Sequence, residues 1–253
     1  MQSATAHTPT SVWNLTVLGY WRLRLNGEPV EVGARQQRVL SALALLGVRP
    51  RHFIATLLWP DGSEKQAAGN LRASIFRISH ELPGILAGKD PLQFDQHVDV
   101  DVHRLRRLIG DITDSREGAG SAATIELLRT ADLLPGWYDD WVVREQELLQ
   151  HERVDALEIL ARKFIARGDI GPALVAARSA AAIEPLRESV QVLLVQAHLA
   201  SDDQASAVRV YRDFSARIRS ELGVTPSPRL TALLRQELAG ISRSNARGGR
   251  RSR

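Results

Sequence analysis

The stretch LLWPDGSEKQAAGNLRASIFRISHEL, Leu57–Leu82, decides the fold. It reads as the end of one helix, a short loop containing Pro60 and Gly62, and a second helix whose two faces differ. At about 100° per residue, Leu71, Ile75, Ile78 and Leu82 fall at about 0°, 40°, 340° and 20°, one narrow apolar stripe. The spacing predicts that this face is buried. Opposite it lie Gln66, Gly69, Asn70, Ala73, Phe76, Arg77 and His80, with Arg72 on one flank and no acidic residue between Glu64 and Glu81. A helix with an apolar back and a small, polar, cationic front is what a DNA major groove admits. The same pattern describes an ordinary amphipathic surface helix, so the flanking sequence has to separate the two readings.

Upstream, residues 1–11 are Ser, Thr, Ala and Pro without periodicity, which predicts a disordered lead-in. From Trp13 the period becomes two. Leu15, Val17, Trp21, Leu23 and Leu25 share one side, with Arg22 and Arg24 on the other, and Asn26-Gly27 is a hairpin turn between strands. Val30 and Val32 continue the return strand. Gly33 breaks it, and Val39, Leu40, Leu43 and Leu46 mark a helix that stops near Gly47. Phe53, Ile54, Leu57 and Leu58 make a second short helix ended by Pro60. Asp61 or Ser63 can cap the third.

Downstream, Pro83-Gly84 ends the third helix. Ile85-Leu86, the turn Gly88-Lys89-Asp90-Pro91 and the return Leu92 to Phe94 form a hairpin. A small sheet, three helices and a hairpin describe a winged helix-turn-helix with Lys89 at the wing tip, near phosphate or merely solvated. His97, Asp99, Asp101 and His103 then alternate with Val98, Val100 and Val102, as in a strand with one polar face. Those are metal-ligand types, but residues spaced along a strand converge poorly on one ion, so no metal and no cofactor are expected.

From Leu105 onward the pattern is helical. One helix is expected at Ile125 to Leu133, and a long one from the Pro135–Trp141 turn to about Ala166. The breaks at Gly168 and Asp202 lie 34 residues apart (202 minus 168), as do Ala173 and Ala207 and also Leu160 and Leu194. That is the tetratricopeptide period. Ala161, Phe164, Gly168, Ala173, Ala180 and Pro185 sit at the expected places of one repeat, while Val195 and His198 make the second copy degenerate. Trp137, Tyr138 and Trp141 read as core, and Asp139-Asp140 as a helix N-cap. Five arginines among Gly and Ser at 243–253 predict a disordered basic tail.

The fold class expected is therefore mainly α: an N-terminal α/β winged helix-turn-helix, then an all-α tetratricopeptide-like repeat domain. At 253 residues with 44% hydrophobic content the chain is long enough for two cores. A net charge of +4 permits nucleic-acid binding without requiring it. The absence of cysteine excludes disulfides, zinc fingers and thiol catalysis. No apolar run long enough to span a bilayer occurs, and MQSATAHTPT lacks the regions of a signal peptide, so a cytoplasmic, non-membrane protein is expected. No G-x-S-x-G, H-E-x-x-H or GxxxxGK[ST] supports an enzyme or ATP gating.

Six segments in order, LGYWRLRLNGEPVEV, LLWPD, AAGNLRASIFRISHEL, VDVDVHRL, LLPGWYDDWVVREQELLQHERVDALE and ELGVTPSPRL, resemble the SARP class of bacterial transcriptional activators. The resemblance runs from Trp13 to about Leu238. It implies an OmpR-like winged helix at 12–100 and a bacterial transcriptional activator domain at 101–240. It also implies binding to direct repeats near promoters as a side-by-side pair, that is a homodimer on DNA, recruitment of RNA polymerase holoenzyme, and often control of antibiotic gene clusters. The resemblance puts the recognition helix at about Gln66 to Glu81 and matches Arg77 to the family's base- and phosphate-contacting arginine. It matches the loop Trp59, Pro60, Asp61, Gly62, Ser63, Glu64 and Lys65 to the segment that faces polymerase in OmpR-like activators. Ser79, His80 and Glu81 stand where many relatives carry more arginine.

The DNA-binding set expected is thus Gly69, Asn70, Arg72, Ala73, Phe76, Arg77, His80 and Lys89. Arg77 and Asn70 would read base edges or adjacent phosphates, and Ala73 would let the helix sit close. Arg72 and His80 would meet phosphate or solvent. Phe76 could touch a thymine methyl, but its apolarity favours core packing. Two rival readings are a helical-repeat adaptor whose front domain binds protein instead of DNA and, weakest, a hydrolase using His97, Asp99, Asp101 and His103 with a metal.

Overall fold

The structure, a computed structural model, describes residues 12–116 and 120–235. The expected lead-in at 1–11 and the basic tail lie outside the described residues. Two compact units are present: Met1–Leu108 with Ala131–Leu149, and Ile109–Thr130 with Gln150–Arg253. These units are not continuous in sequence, because 131–149 group with the N-terminal unit.

In the first unit, strands β1 (Trp13–Thr16), β2 (Arg22–Leu25) and β3 (Glu28–Val30) form an antiparallel meander, and β6 (Val98–Val100) pairs parallel with β1, giving the order β3-β2-β1-β6. Leu15 pairs with Leu23 on one side and Val100 on the other, so the alternating apolar residues meet across three strands. Asn26 and Gly27 both have positive φ, 51° and 91°, as a two-residue hairpin of matching twist requires. Helices α1 (Ala34–Leu46), α2 (Arg51–Leu58) and α3 (Glu64–Glu81) follow, then the wing strands β4 (Leu86–Ala87) and β5 (Gln93–Phe94). Val39, Leu40, Leu43, Ile54, Leu58, Leu71 and Ile78 are buried together with Leu15 and Leu23 as the core of this unit. The Trp21 indole N–H donates to the hydroxyl of Ser41, a wholly buried polar residue of α1, at 3.0 Å.

The polar alternation of 97–103 does not persist as one strand. β6 stops at Val100 and helix α4 (Asp101–Thr113) begins at Asp101. The reason is the Asp101 carboxylate, which accepts the backbone N–H groups of Val17, Leu18 and Val102 at 2.8–3.1 Å. Burial pushes its pKa up, and the three N–H donors partly offset that. The other three polar residues are also occupied: His97 pairs with Asp95 at 2.6 Å, Asp99 with Arg104, and His103 Nε2 with the Ala44 carbonyl at 2.7 Å. Among the described residues no group of three or more His, Asp or Glu is placed to hold a metal.

The second unit takes in helix α5 (Ala122–Thr130) and, from Gln150, most of α6 (Asp140–Arg167), then α7 (Ile170–Ile183), α8 (Glu188–Ala200) and α9 (Gln204–Leu222), with further helix at 228–235. The breaks at Gly168 and Ser201–Asp203 fall where the 34-residue period put them. Ala161, Ala173, Ala176, Ala177 and Ala180 are wholly buried, since small side chains let neighbouring helices approach closely. Val195, Ala207, Phe214, Ile218, Leu230 and Leu234 form the last core cluster. α5 ends at Thr130, short of the expected Leu133. That residue instead bridges Leu18 in the first unit. Among the described residues no helix is long and apolar enough to cross a membrane.

Candidate nucleic-acid interface

Ser63 caps α3. Its hydroxyl accepts the Gln66 N–H while the Gln66 side chain accepts the Ser63 N–H at 3.0 Å, a reciprocal capping box. This resolves the choice between Asp61 and Ser63 and starts the helix at Glu64, two residues before the expected Gln66. Glu64 in the first turn complements the positive helix end.

The inner face of α3 is Ala67, Leu71, Ser74, Ile78 and Leu82. Ile75 is only half-buried, so the stripe is rotated toward Ser74, whose hydroxyl donates back to the Asn70 carbonyl at 3.0 Å. That bond satisfies the one polar side chain on the buried face.

On the outer face Arg72, Ala73, Phe76, Arg77 and His80 are exposed, and Gly69 and Asn70 are half-buried. A Cβ added at Gly69 would meet nothing within 4 Å, so the surface there is open. Two ridges run along this face. Gln66, Asn70, Ala73 and Arg77 make one, and Arg72, Phe76 and His80 make the other. Arg77 has one loose intrahelical neighbour, Glu81 at 3.9 Å. Arg72 has no ion pair among the described residues. Phe76 is 74% exposed and stacks on His80, with ring centroids 6.4 Å apart and planes within 4°. Core packing of Phe76 is therefore corrected: at about 140° from Leu71 it points away from the stripe, whatever its apolarity.

The wing ends beside α2. The Asp90 carboxylate accepts the Arg51 N–H at 3.0 Å, which satisfies a free donor at the start of α2, and Arg49 pairs with Leu92 through the backbone. Lys89 at the tip is exposed and without an ion pair among the described residues. It belongs to the wing and lies on neither ridge of α3.

The loop Trp59–Lys65 borders a cavity of about 670 Å³ lined also by Gln66, Gly69, Asn70, Arg38 and Tyr138. Arg38 donates to Asp139 at 2.6 Å, and this pair fixes the wall opposite the loop. Sequence reading missed Arg38 and Tyr138 as neighbours of the loop, because a pairing across about a hundred residues leaves no local signal. It also placed all three aromatics of Trp137–Trp141 in the core. Trp141 is buried, Trp137 half-buried, and Tyr138 84% exposed.

A profile of the bacterial transcriptional activator domain family matches residues 100–238, just over half of the chain. The sequence is 28% identical over 230 residues to the regulatory protein AfsR of Streptomyces coelicolor, covering 86% of this chain and 23% of AfsR. The chain thus spans about a quarter of that relative's length. In fold it is similar to Mycobacterium tuberculosis EmbR, solved in complex with a low-affinity phosphopeptide, with a TM-score of 0.70 at 22% identity, covering 91% of this chain and 66% of EmbR. The chain belongs to the bacterial transcriptional activator domain family, in the SARP class of transcriptional regulators.

Proposed function

We propose that the chain is a sequence-specific DNA-binding transcriptional activator that binds direct repeats near promoters and recruits RNA polymerase, and that its targets are secondary-metabolite genes. In this reading α3 enters the major groove, Arg77 and Asn70 read base edges, and Arg72, His80 and Lys89 hold phosphate. Gly69 and Ala73 keep the helix surface low enough for close approach. Residues 12–100 carry the DNA contacts and 101–240 the activator function, and two copies lie side by side on the repeat.

The observation that carries the reading is the outer face of α3. Two arginines and a histidine stand exposed on one side of a helix whose other side is fixed in the core, and among the described residues only Glu81 offers Arg77 a carboxylate, at 3.9 Å. An exposed, loosely paired cationic helix face beside a hairpin is the arrangement that neutralises phosphate while presenting side chains to bases. The loop Trp59–Lys65, at the N-terminus of α3, is the surface that would face polymerase.

Footprinting of the chain on its own upstream region tests this. Protection of paired repeats is expected, and Arg77→Ala should weaken the specific complex by about 1–3 kcal/mol. Protection unchanged by that substitution would remove Arg77 from the interface. A chain that ignores every duplex at low salt is an adaptor instead.

A further inference from the structure

Of the described large apolar side chains, Phe76 is more exposed than any but Tyr138, and unlike Tyr138 it has no polar atom to offer water. It sits mid-helix on the outer face of α3, one turn from Arg72 and one turn from His80. The His80 ring lies parallel to it at 6.4 Å, in the range of an offset stack. His80 thus lies alongside one face of Phe76, and at 74% exposure most of the ring stands in solvent. Among the described residues no other aromatic ring stacks on it.

The chemistry of the groove narrows what Phe76 can meet. The major-groove edges of guanine, cytosine and adenine present hydrogen-bond donors and acceptors, and thymine adds a C5-methyl group. A phenyl ring pressed on the first three strips water from polar atoms and gives no hydrogen bond in return, which is unfavourable. Pressed on a methyl, it removes apolar surface from water on both partners. The same ring therefore penalises most base pairs and rewards one.

We infer that Phe76, braced by His80, reads thymine C5-methyl groups and makes the recognition sequence thymine-dependent at the base pairs facing the middle of α3. This rests on the DNA-binding reading above. It adds a specificity contact of different chemistry from that of Arg77, one that depends on an apolar group and is insensitive to salt.

The test replaces thymidine by deoxyuridine, which deletes the methyl and keeps every hydrogen-bonding atom. A duplex is first selected from a randomised pool by the full chain, then synthesised with thymidine, with deoxyuridine, and in scrambled order. The chain should bind the deoxyuridine duplex about fourfold more weakly for each methyl contacted. Phe76→Ala should bind both forms equally, with its melting temperature unchanged because the side chain is exposed. Arg77→Ala should weaken both forms alike and keep their ratio. Equal binding of the two duplexes by the unaltered chain, with the scrambled one still rejected, overturns the inference and leaves the DNA-binding reading standing. A thymidine preference that survives in Phe76→Ala also overturns it, since the preference then comes from the stiffness of the DNA. If no duplex is preferred over the scrambled one, both readings fall together.

Discussion

Arg187, in the second unit, lies among the carboxylates of Asp155, Glu158 and Glu184, whereas Arg77, on α3 of the first, has a single carboxylate 3.9 Å away. Burial pulls the Arg187 pKa down, but the Asp155 hydrogen bond and the charges of Glu158, Asp155 and Glu184 raise it above its ordinary value. Arg153 goes further inward. At 4% exposure it donates to the carbonyls of Leu128 and Arg129 at 2.6 and 2.8 Å, so its guanidinium ties the end of α5 to α6. At Arg153 and Arg187, then, arginine is spent on the fold. On α3 Arg72 and Arg77 stand in solvent, and counting charges in the sequence would never separate these two settings.

The most damaging way to test that contrast is Glu158→Ala. Glu158 is 3% exposed and receives Arg162, Arg187 and the Ser189 hydroxyl, so its removal takes away the carboxylate of Arg162, one of the three around Arg187, and the acceptor of Ser189. The expected cost is about 3 kcal/mol of stability, read as a fall in melting temperature on the order of 10 °C. Duplex affinity measured below the transition should not move. A melting temperature that stays put would mean the network is ornamental and the contrast false.

Arg77→Ala is the mirror experiment. Its guanidinium is two-thirds exposed and makes no close pair, so unfolding should shift by less than about 0.5 kcal/mol, while binding to the specific duplex falls by about 1–3 kcal/mol. Comparable losses in both measurements would show that Arg77 is structural after all. The pair of substitutions together assigns each arginine population by which of two numbers changes.

Ser63→Ala has a smaller effect and sharpens the comparison at its edge. It removes the hydroxyl half of the capping box, while the residue-63 N–H can still donate to Gln66, and should cost about 1 kcal/mol of stability. The loss should be read in thermal unfolding and only weakly in DNA affinity, since Arg77 lies nearly four turns away. Should affinity fall as far as in Arg77→Ala, the start of α3 would be part of the interface.

The outward face of α3 could be read from the sequence because helical periodicity is local: Leu71, Ile78 and Leu82 fixed the buried side without reference to anything else. Readings went astray where a distant partner or a residue's direction mattered. Phe76 was assigned inward on its residue type, although its angle puts it outside. The alternation His97-to-His103 was carried through Asp101 as a strand, because Val17 and Leu18, whose N–H groups stop the strand and start α4, lie 84 and 83 residues away. The grouping of 131–149 with the N-terminal unit depends on contacts such as Leu18 with Leu133 and Arg38 with Asp139, for which adjacent residues carry no sign.

The finest test of the comparison concerns a cation on neither helix ridge. Lys89 stands at the tip of the wing, where Gly88 takes a φ of +73° and Asp90 is turned back to the Arg51 N–H. The neighbouring carboxylate is thereby occupied, and the ammonium group has no ion pair among the described residues. If Lys89 serves the same outward purpose as Arg77, each complex it joins releases roughly one more counterion, and the slope of log K against log salt steepens by about 1. Lys89→Ala should therefore flatten that slope by about 1 and weaken specific and scrambled duplexes alike, because a phosphate contact carries no sequence information. A slope that does not change puts Lys89 in solvent and confines the cationic surface to α3. A loss confined to the specific duplex would instead mean that the wing reads bases.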